Sequence, residues 1–194
     1  MAGDRWPPVY DADDLVREIK RLTERPDIAN AFYEWRRDSS MTPVDDVCQG
    51  DIVRLPSDVP VILADGQPGV IDHPDVAWLV LGNTCDFERK VEDVRWTQMV
   101  PVRDLGDVAD VSDTEKAALR RYTQSRVFYV PPWSGQVSKR VHAADLLRPV
   151  AVDKRVFVGE PAIAAVEARM ARAAWILLNA CLVRFLARDD GRYA

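Results

Sequence analysis

Residues 79–87 read Leu-Val-Leu-Gly-Asn-Thr-Cys-Asp-Phe, so a thiol and a carboxylate follow directly after an apolar run. Cys85 could act as a nucleophile, with Asp86 as an orienting carboxylate and His73 as the base if the fold brings it near. Such chemistry requires a neighbouring group that lowers the pKa of the thiol. The alternative, which we favour, is a small, buried and inert Cys85.

The other familiar kinds of chemical site have little support in the sequence. A zinc site would require Cys48, Cys85, His73 and a carboxylate to converge, because no C-x-x-C or H-x-x-x-H pair occurs. A glycine-rich phosphate loop is not indicated either, since Gly66 and Gly69 lack a strand–turn–helix setting. We therefore expect no metal and no cofactor.

Basic and aromatic residues are interleaved between positions 120 and 140. Cations neutralise phosphates and aromatic rings stack on unpaired bases, so this pattern suggests a nucleic-acid surface. The residues that could form it are Arg120, Arg121, Arg126, Tyr129, Trp133, Lys139 and Arg140. The alternative is a solvated helix face beside an ordinary core strand, and the acidic net charge of −5 favours this alternative.

The charge is distributed unevenly along the 194 residues. Counting Lys and Arg against Asp and Glu, residues 1–112 carry −11 and residues 113–194 carry +6. Such asymmetry indicates either two parts of one fold that attract each other or a basic face for a charged partner. We favour the first reading. The hydrophobic content of 47% excludes a disordered chain, and the length fits one domain.

The cysteines and the apolar segments indicate a soluble, cytoplasmic protein. The three cysteines are odd in number and widely spaced, which is typical of reduced thiols rather than of a disulfide framework. The first residues lack the basic and apolar regions of a signal peptide. The strongly apolar stretch 173–186 contains Asn179 and Arg184 and is shorter than the roughly 20 apolar residues of a membrane span.

The pattern of apolar residues predicts an α+β chain in three parts. An N-terminal helical arm, residues 1–40, contains helices over 11–25 and 27–37, followed by a polar linker. A β-rich part, residues 41–158, contains short strands and a helical insertion near 112–124. Ser112 caps this insertion, with Glu115 at the capping-box position. Residues 76–81 are continuously apolar, as in a strand buried on both faces.

The C-terminal part, residues 159–194, is predicted to be one long apolar helix from Gly159 to about Arg188. Its apolar stripe is wider than one face requires, which indicates burial in the core or in an interface. We favour the core. The alternative is a surface for a protein partner or for homo-oligomerisation.

Three short segments resemble the MazF/PemK-type small barrels. They are residues 50–53 (Gly-Asp-Ile-Val), 78–81 (Trp-Leu-Val-Leu) and 99–102 (Met-Val-Pro-Val), which occur in this order within residues 49–105. The resemblance implies an SH3-like barrel at the core of the α+β chain, and the toxins of the family are dimeric endoribonucleases. It also implies that Arg54 matches the arginine near the first strand, while Arg103 stands where the toxins have a hydroxyl residue.

Two classes of function follow from these observations. The leading hypothesis is a non-catalytic binding module of a bacterial toxin–antitoxin or defence system that acts through a protein partner. The alternative is a hydrolase. It would be either a ribonuclease that uses Arg54 and Arg103, or a thiol enzyme that uses Cys85 with His73 and Asp86.

Overall fold

The structure is a computed structural model, and it describes residues 12–25, 27–37, 46–63, 65–72, 75–124, 126–134, 137–157 and 165–186. Most of the predicted linker, His73 and the residues after 186 lie outside the described residues. Among the described residues no helix is long and apolar enough to span a membrane.

The described residues form α-helices and antiparallel strands, which confirms the α+β class. The elements are α1 (Ala12–Thr23), α2 (Ile28–Phe32), β1 (Tyr33–Arg36), β2 (Ile52–Arg54), β3 (Val59–Ile62), β4 (Pro68–Ile71), β5 (Ala77–Val80), α3 (Thr84–Glu88), β6 (Trp96–Asp107), α4 (Asp113–Arg120), β7 (Val127–Val130), β8 (Arg140–Asp145), β9 (Val150–Asp153), a short 3-10 helix (Lys154–Val156), β10 (Ala165–Met170) and α5 (Arg172–Leu186).

One antiparallel sheet contains all ten strands of the described residues. Its main path is β1-β10-β2-β5-β6-β9-β3-β4, and β8 pairs with both β6 and β7. The pairings of the described strands do not close this sheet into a barrel. The three segments that resemble the MazF/PemK barrels lie mainly in β2, β5 and β6, which are neighbours in the sheet.

The long strand β6 organises the centre of the sheet. Val102 of β6 pairs with Ala77 of β5 and with Ala144 of β8, so these two strands flank β6 on opposite sides. Met99 pairs in the same way with Val80 of β5 and Val150 of β9. Strands β8 and β9 therefore act as one interrupted strand along β6.

Strand β5 is buried on both faces, as its continuous apolar run predicts. Ala77 and Leu79 belong to a cluster that packs against α1 and α5. Trp78 and Val80 belong to a second cluster with residues of β3, β9 and the 3-10 helix. Adjacent residues of a strand point to opposite faces, so one short segment connects the two cores.

Helix α5 packs into the first core, which is the reading that we favoured for the apolar C-terminal segment. Its buried residues are Ala174, Leu177, Leu178 and Cys181. The exposed large apolar residues of α5 are Val183 and Leu186, near its end. Most of the apolar surface of α5 is therefore buried against other parts of this chain.

The predicted helix from Gly159 to Arg188 is wrong over β10, because these residues complete the sheet between β1 and β2. The register shifts between Val166 and Ala168, as in a β-bulge. Val166 consequently packs on the second core while Ala168 and Met170 lie in the first. The spacing of four between the apolar residues Val166 and Met170 predicts a helix. In the structure the same spacing occurs in a strand, because the β-bulge turns these two side chains to opposite faces of the sheet.

The arm also differs from its prediction. The helix expected over 27–37 ends at Phe32, and β1 follows it directly. Tyr33 and Trp35 are buried while Glu34 is exposed, which is the alternation of a strand with one covered face. The insertion is confirmed as α4, and Ser112 Oγ accepts a hydrogen bond from the Glu115 N–H at its start.

Candidate functional site

A cleft of about 580 Å³ lies where β2, β6, β8 and the loop after β7 come together. We call it the arginine cleft because four of its lining residues are arginines. Its lining consists of Arg54, Asp75, Val76, Ala77, Pro101, Val102, Arg103, Asp104, Trp133, Val137, Arg140, His142 and Arg148.

The sheet fixes the positions of these side chains. Arg54 is the last residue of β2, and Arg140 is the first residue of β8. His142 lies in the middle of β8, opposite Asp104 of β6 on one side and Val130 of β7 on the other. Most of the polar residues of the cleft are thus held by strands or strand ends, which position side chains more rigidly than loops do.

Two buried rings in the cleft, those of Trp133 and His142, contact each other edge to face, with centroids 4.9 Å apart. The exposed fractions are 2% for Trp133 and 6% for His142. Trp133 Nε1 and His142 Nδ1 form no hydrogen bond with any described residue. A buried polar group without a partner is costly, so these two nitrogens mark a point where the described residues leave the hydrogen bonding incomplete.

Carboxylates hold the arginines around the cleft. Arg54 donates to the carbonyl oxygen of Asp75 at 2.7 Å, and its Nε lies 3.6 Å from the carboxylate of Glu167. Glu167 sits at the irregular register of β10, between Val166 and Ala168. A β-bulge often changes the direction of a side chain, and the irregular register here coincides with the Glu167 carboxylate beside the cleft.

Arg103 and Arg148 share one carboxylate, that of Asp145, at 3.3 Å and 3.5 Å. Their side chains are 55% and 70% exposed, whereas that of Asp145 is 12% exposed. Arg140 pairs with Asp104 at 2.8 Å. Each guanidinium carries five N–H donors, so these pairs orient the arginines and leave donors for a ligand.

The cleft is therefore rich in hydrogen-bond donors. Arginine and tryptophan side chains donate and do not accept, and the lining contains four arginines and two carboxylates. Glu167 and Asp145 pair with three of these arginines from beside the lining. A ligand that matches this lining carries several acceptor oxygens and negative charge. Planar guanidinium groups bind phosphate and carboxylate oxygens in pairs, so an oxyanion fits the geometry.

His142 is a candidate for proton transfer. Burial lowers the pKa of His142 below its ordinary value of 6.5, the charge of Asp104 opposes this, and the charge of Arg140 adds to the lowering. The imidazole is consequently neutral at pH 7. A neutral imidazole beside a bound substrate can accept a proton, as a general base does.

The structure brings four of the predicted residues together and separates the others. Arg54 and Arg103, predicted as catalytic, line the same cleft as Trp133 and Arg140, predicted as nucleic-acid ligands. Tyr129 is buried in the first core, so its predicted stacking face is wrong. The indole of Trp133 is buried as well, so it offers no exposed stacking face, and its N–H has no hydrogen-bond partner among the described residues.

The remaining predicted cations lie outside the arginine cleft. Arg120 and Arg121 line a groove between α1 and α4, and Arg126 lines a second cleft beyond Arg103. Lys139 is exposed in the turn before β8. The predicted surface is thus divided among several places on the molecule.

The thiol hypothesis finds less support. Cys85 lies in α3 and is exposed, so the expected burial of this residue is wrong. Asp86 lies 3.7 Å from Arg89, and His73, the predicted base, lies outside the described residues. No described residue is therefore seen to activate the thiol in the predicted way.

A buried lysine holds α3 in place. Lys154 is fully buried, and its Nζ donates to the backbone carbonyl oxygens of Asp86 and Arg89. A cation stabilises the carbonyl end of a helix because those carbonyls lack partners within the helix. The contact with Lys154 therefore explains, from the described residues alone, how the segment around Cys85 is held in position.

No group of metal-binding side chains converges within the described part of the chain. Cys48, one of the zinc ligands considered from the sequence, lies beside Asp51 and Arg169 instead. Burial raises the pKa of Cys48 to about 11, which keeps its thiol protonated at neutral pH.

Sequence reasoning missed His142 and Arg148. Neither residue was named as a candidate from the sequence, although His142 follows Val141 and precedes two alanines. A lone histidine between small apolar residues of a strand was the available signal. Arg148 gave no comparable signal, because its role depends on the turn that brings it to Asp145.

Comparisons of this chain with protein-family models, with curated proteins and with solved structures found no match.

Proposed function

We propose that the protein binds single-stranded RNA in the arginine cleft and cleaves it there. The observation that carries the proposal is the pair of unpartnered buried nitrogens, Trp133 Nε1 and His142 Nδ1, in a cleft with four arginines. A phosphodiester offers negative charge and acceptor oxygens to the N–H donors of this lining. Phosphate contacts of this kind provide most of the affinity for nucleic acids.

RNA is preferred over DNA because its 2′-hydroxyl is a nucleophile within the substrate. Neutral His142 would take the proton of that hydroxyl as the 2′-oxygen bonds to phosphorus. The bond from phosphorus to the 5′-oxygen breaks, and that oxygen receives a proton from solvent. Arg54 and Arg103 would stabilise the charge on the phosphoryl oxygens in the transition state. The products are a 2′,3′-cyclic phosphate and a 5′-hydroxyl.

The relation to MazF/PemK-type barrels is part of this proposal. It is supported by the adjacency of β2, β5 and β6 and by Arg54 and Arg103 lining one cleft. We propose that these strands correspond to part of an SH3-like barrel that is elaborated by β10 and the helices. A bacterial, cytoplasmic toxin–antitoxin or defence setting follows from the same resemblance.

A second candidate is a non-catalytic module that acts through a protein partner or a second copy. The observation that favours it is the apolar end of α5, where Val183 is 55% and Leu186 is 79% exposed. A module of this kind would retain the fold of the cleft without cleavage.

Cleavage of a labelled single-stranded RNA by wild type and by His142→Gln tests the choice between these functions. We expect wild type to release fragments with cyclic phosphate ends, and we expect the variant to bind RNA while its cleavage rate falls at least about 100-fold. Arg21→Ala, on α1 outside the cleft, is the control. RNA binding without cleavage by wild type would favour the non-catalytic module, and absence of binding would refute the proposal.

A further inference from the structure

A second cleft, of about 380 Å³, adjoins the arginine cleft. Its apolar lining includes Leu105, Leu119 and Leu147, so we call it the leucine cleft. Leu147 is 46% exposed, whereas Leu119 is buried at 4%. The polar residues that line it include Glu115, Gln124 and Arg126.

The two clefts share a boundary. Arg103 and Arg148 line both of them, and Asp145, which pairs with both arginines, also lines the leucine cleft. Leu105 is two residues beyond Arg103 on β6, about 7 Å along the strand. A group bound by Arg103 is therefore within the reach of one nucleotide from the apolar walls of the leucine cleft.

The lining of the leucine cleft suits the faces and edges of a nucleobase. Proteins hold unstacked bases between apolar side chains and read their edges by hydrogen bonds. Glu115 accepts hydrogen bonds, whereas Arg126 donates them. Neither side chain forms a hydrogen bond or an ion pair with another described residue. Guanine offers N–H donors on one edge and the O6 and N7 acceptors that arginine prefers on another.

We propose that the leucine cleft binds a guanine base next to the phosphate held in the arginine cleft. This inference rests on the proposed RNA binding and makes it specific, because the substrate becomes an RNA with a guanosine at the bound position. Glu115 accepts from the N1 and N2 donors of the base, and Arg126 donates to its acceptor edge.

The test measures the affinity of the full chain for labelled uridine hexamers that carry one central guanosine, inosine or adenosine. We expect the guanosine hexamer to bind about tenfold more tightly than the adenosine hexamer. Inosine, which lacks the 2-amino group, should lie between them. Glu115→Gln should reduce the preference for guanosine towards one, whereas Glu92→Gln, an exposed carboxylate outside both clefts, should leave it unchanged.

The outcomes separate this inference from the proposed function. Equal affinity for all hexamers, with binding still weakened by Arg103→Ala, would overturn the guanine site and leave RNA binding in the arginine cleft intact. A guanosine preference that survives Glu115→Gln and Arg126→Ala would also overturn it, because another surface would be reading the base. If wild type binds none of the hexamers, both proposals fail.

Discussion

Replacing Arg103 by alanine should reduce the salt dependence of RNA binding by a defined amount. Arg103 is one of four arginines that line the cleft, and its side chain is 55% exposed. Each guanidinium that neutralises a phosphate releases counterions from the RNA. For a single strand the slope of log affinity against log salt is about −0.7 per contact.

The magnitude follows from the number of arginines. With one phosphate contact for each guanidinium, which is the upper bound, four contacts give a slope of about −2.8 and three contacts give about −2.1. A rise from about 50 to about 200 mM salt should then weaken wild-type binding about 50-fold and Arg103→Ala binding about 18-fold. The variant should also bind more weakly at every salt concentration, because one phosphate contact is missing.

Fluorescence anisotropy with a labelled single-stranded RNA over a salt series measures both slopes. Arg21→Ala is the matched control, since the side chain of Arg21 is 56% exposed and pairs with Glu18 at 2.8 Å on α1. An unchanged slope in Arg103→Ala would contradict our reasoning. An equal reduction in both variants would show that RNA binding depends on total charge and not on the arginine cleft.

Three further outcomes follow from the structure. Trp133→Phe should weaken RNA binding about tenfold in anisotropy, because it removes an N–H that has no partner among the described residues. The smaller ring also leaves a cavity in the first core, so the free energy of unfolding should fall by roughly 1–3 kcal/mol. Unchanged RNA binding by the folded variant would mean that the N–H does not contact the ligand. The cleavage rate should rise with pH and then level off, and the midpoint of the rise should lie below pH 6.5. The reason is that burial lowers the pKa of His142 and the base must be neutral. A midpoint above pH 7 would exclude this histidine as the base. Hydrogen bonds from Arg155 lower the pKa of Asp153 to about 2, below its value of 3.8 in the unfolded chain. The contribution of the Asp153 carboxylate to the free energy of unfolding is therefore present above pH 4 and is lost as pH falls towards 2. Asp153→Asn should cost roughly 1 kcal/mol of unfolding free energy at pH 7, a value reduced by the exposure of Arg155, and urea titrations should show a smaller difference from wild type as the pH falls towards 2.

The local sequence pattern was sufficient to predict those elements whose burial and end contacts follow from their own residues. The run that became β5 is apolar throughout, and both faces of this strand are buried. Ser112 and Glu115 predicted the start of α4 because a capping box acts over three residues. Strand β10 could not be predicted in this way, since its conformation depends on pairing with β1 and β2.

The same distinction applies to the candidate site. Arg54 and Arg103 were predicted from short segments that resemble a family, and both line the arginine cleft. The contacts of His142 and Arg148 depend on strand pairing and on a turn, which a single sequence does not reveal. Tyr129 was misread because the alternation of apolar and basic residues does not say which face of a strand is covered.

The position of β10 has a consequence for how the chain reaches its native structure. Trp35 pairs with Arg169, so the outer part of the sheet joins segments that are 134 positions apart in the sequence. Contacts this distant form slowly, because a long loop must close before they are gained. During synthesis on the ribosome, β2 and Arg54 emerge well before Glu167, and β1 waits longer still for its neighbour. Until β10 arrives, the edge of β2 is open, and a nascent chain would be most exposed to misassembly at that point.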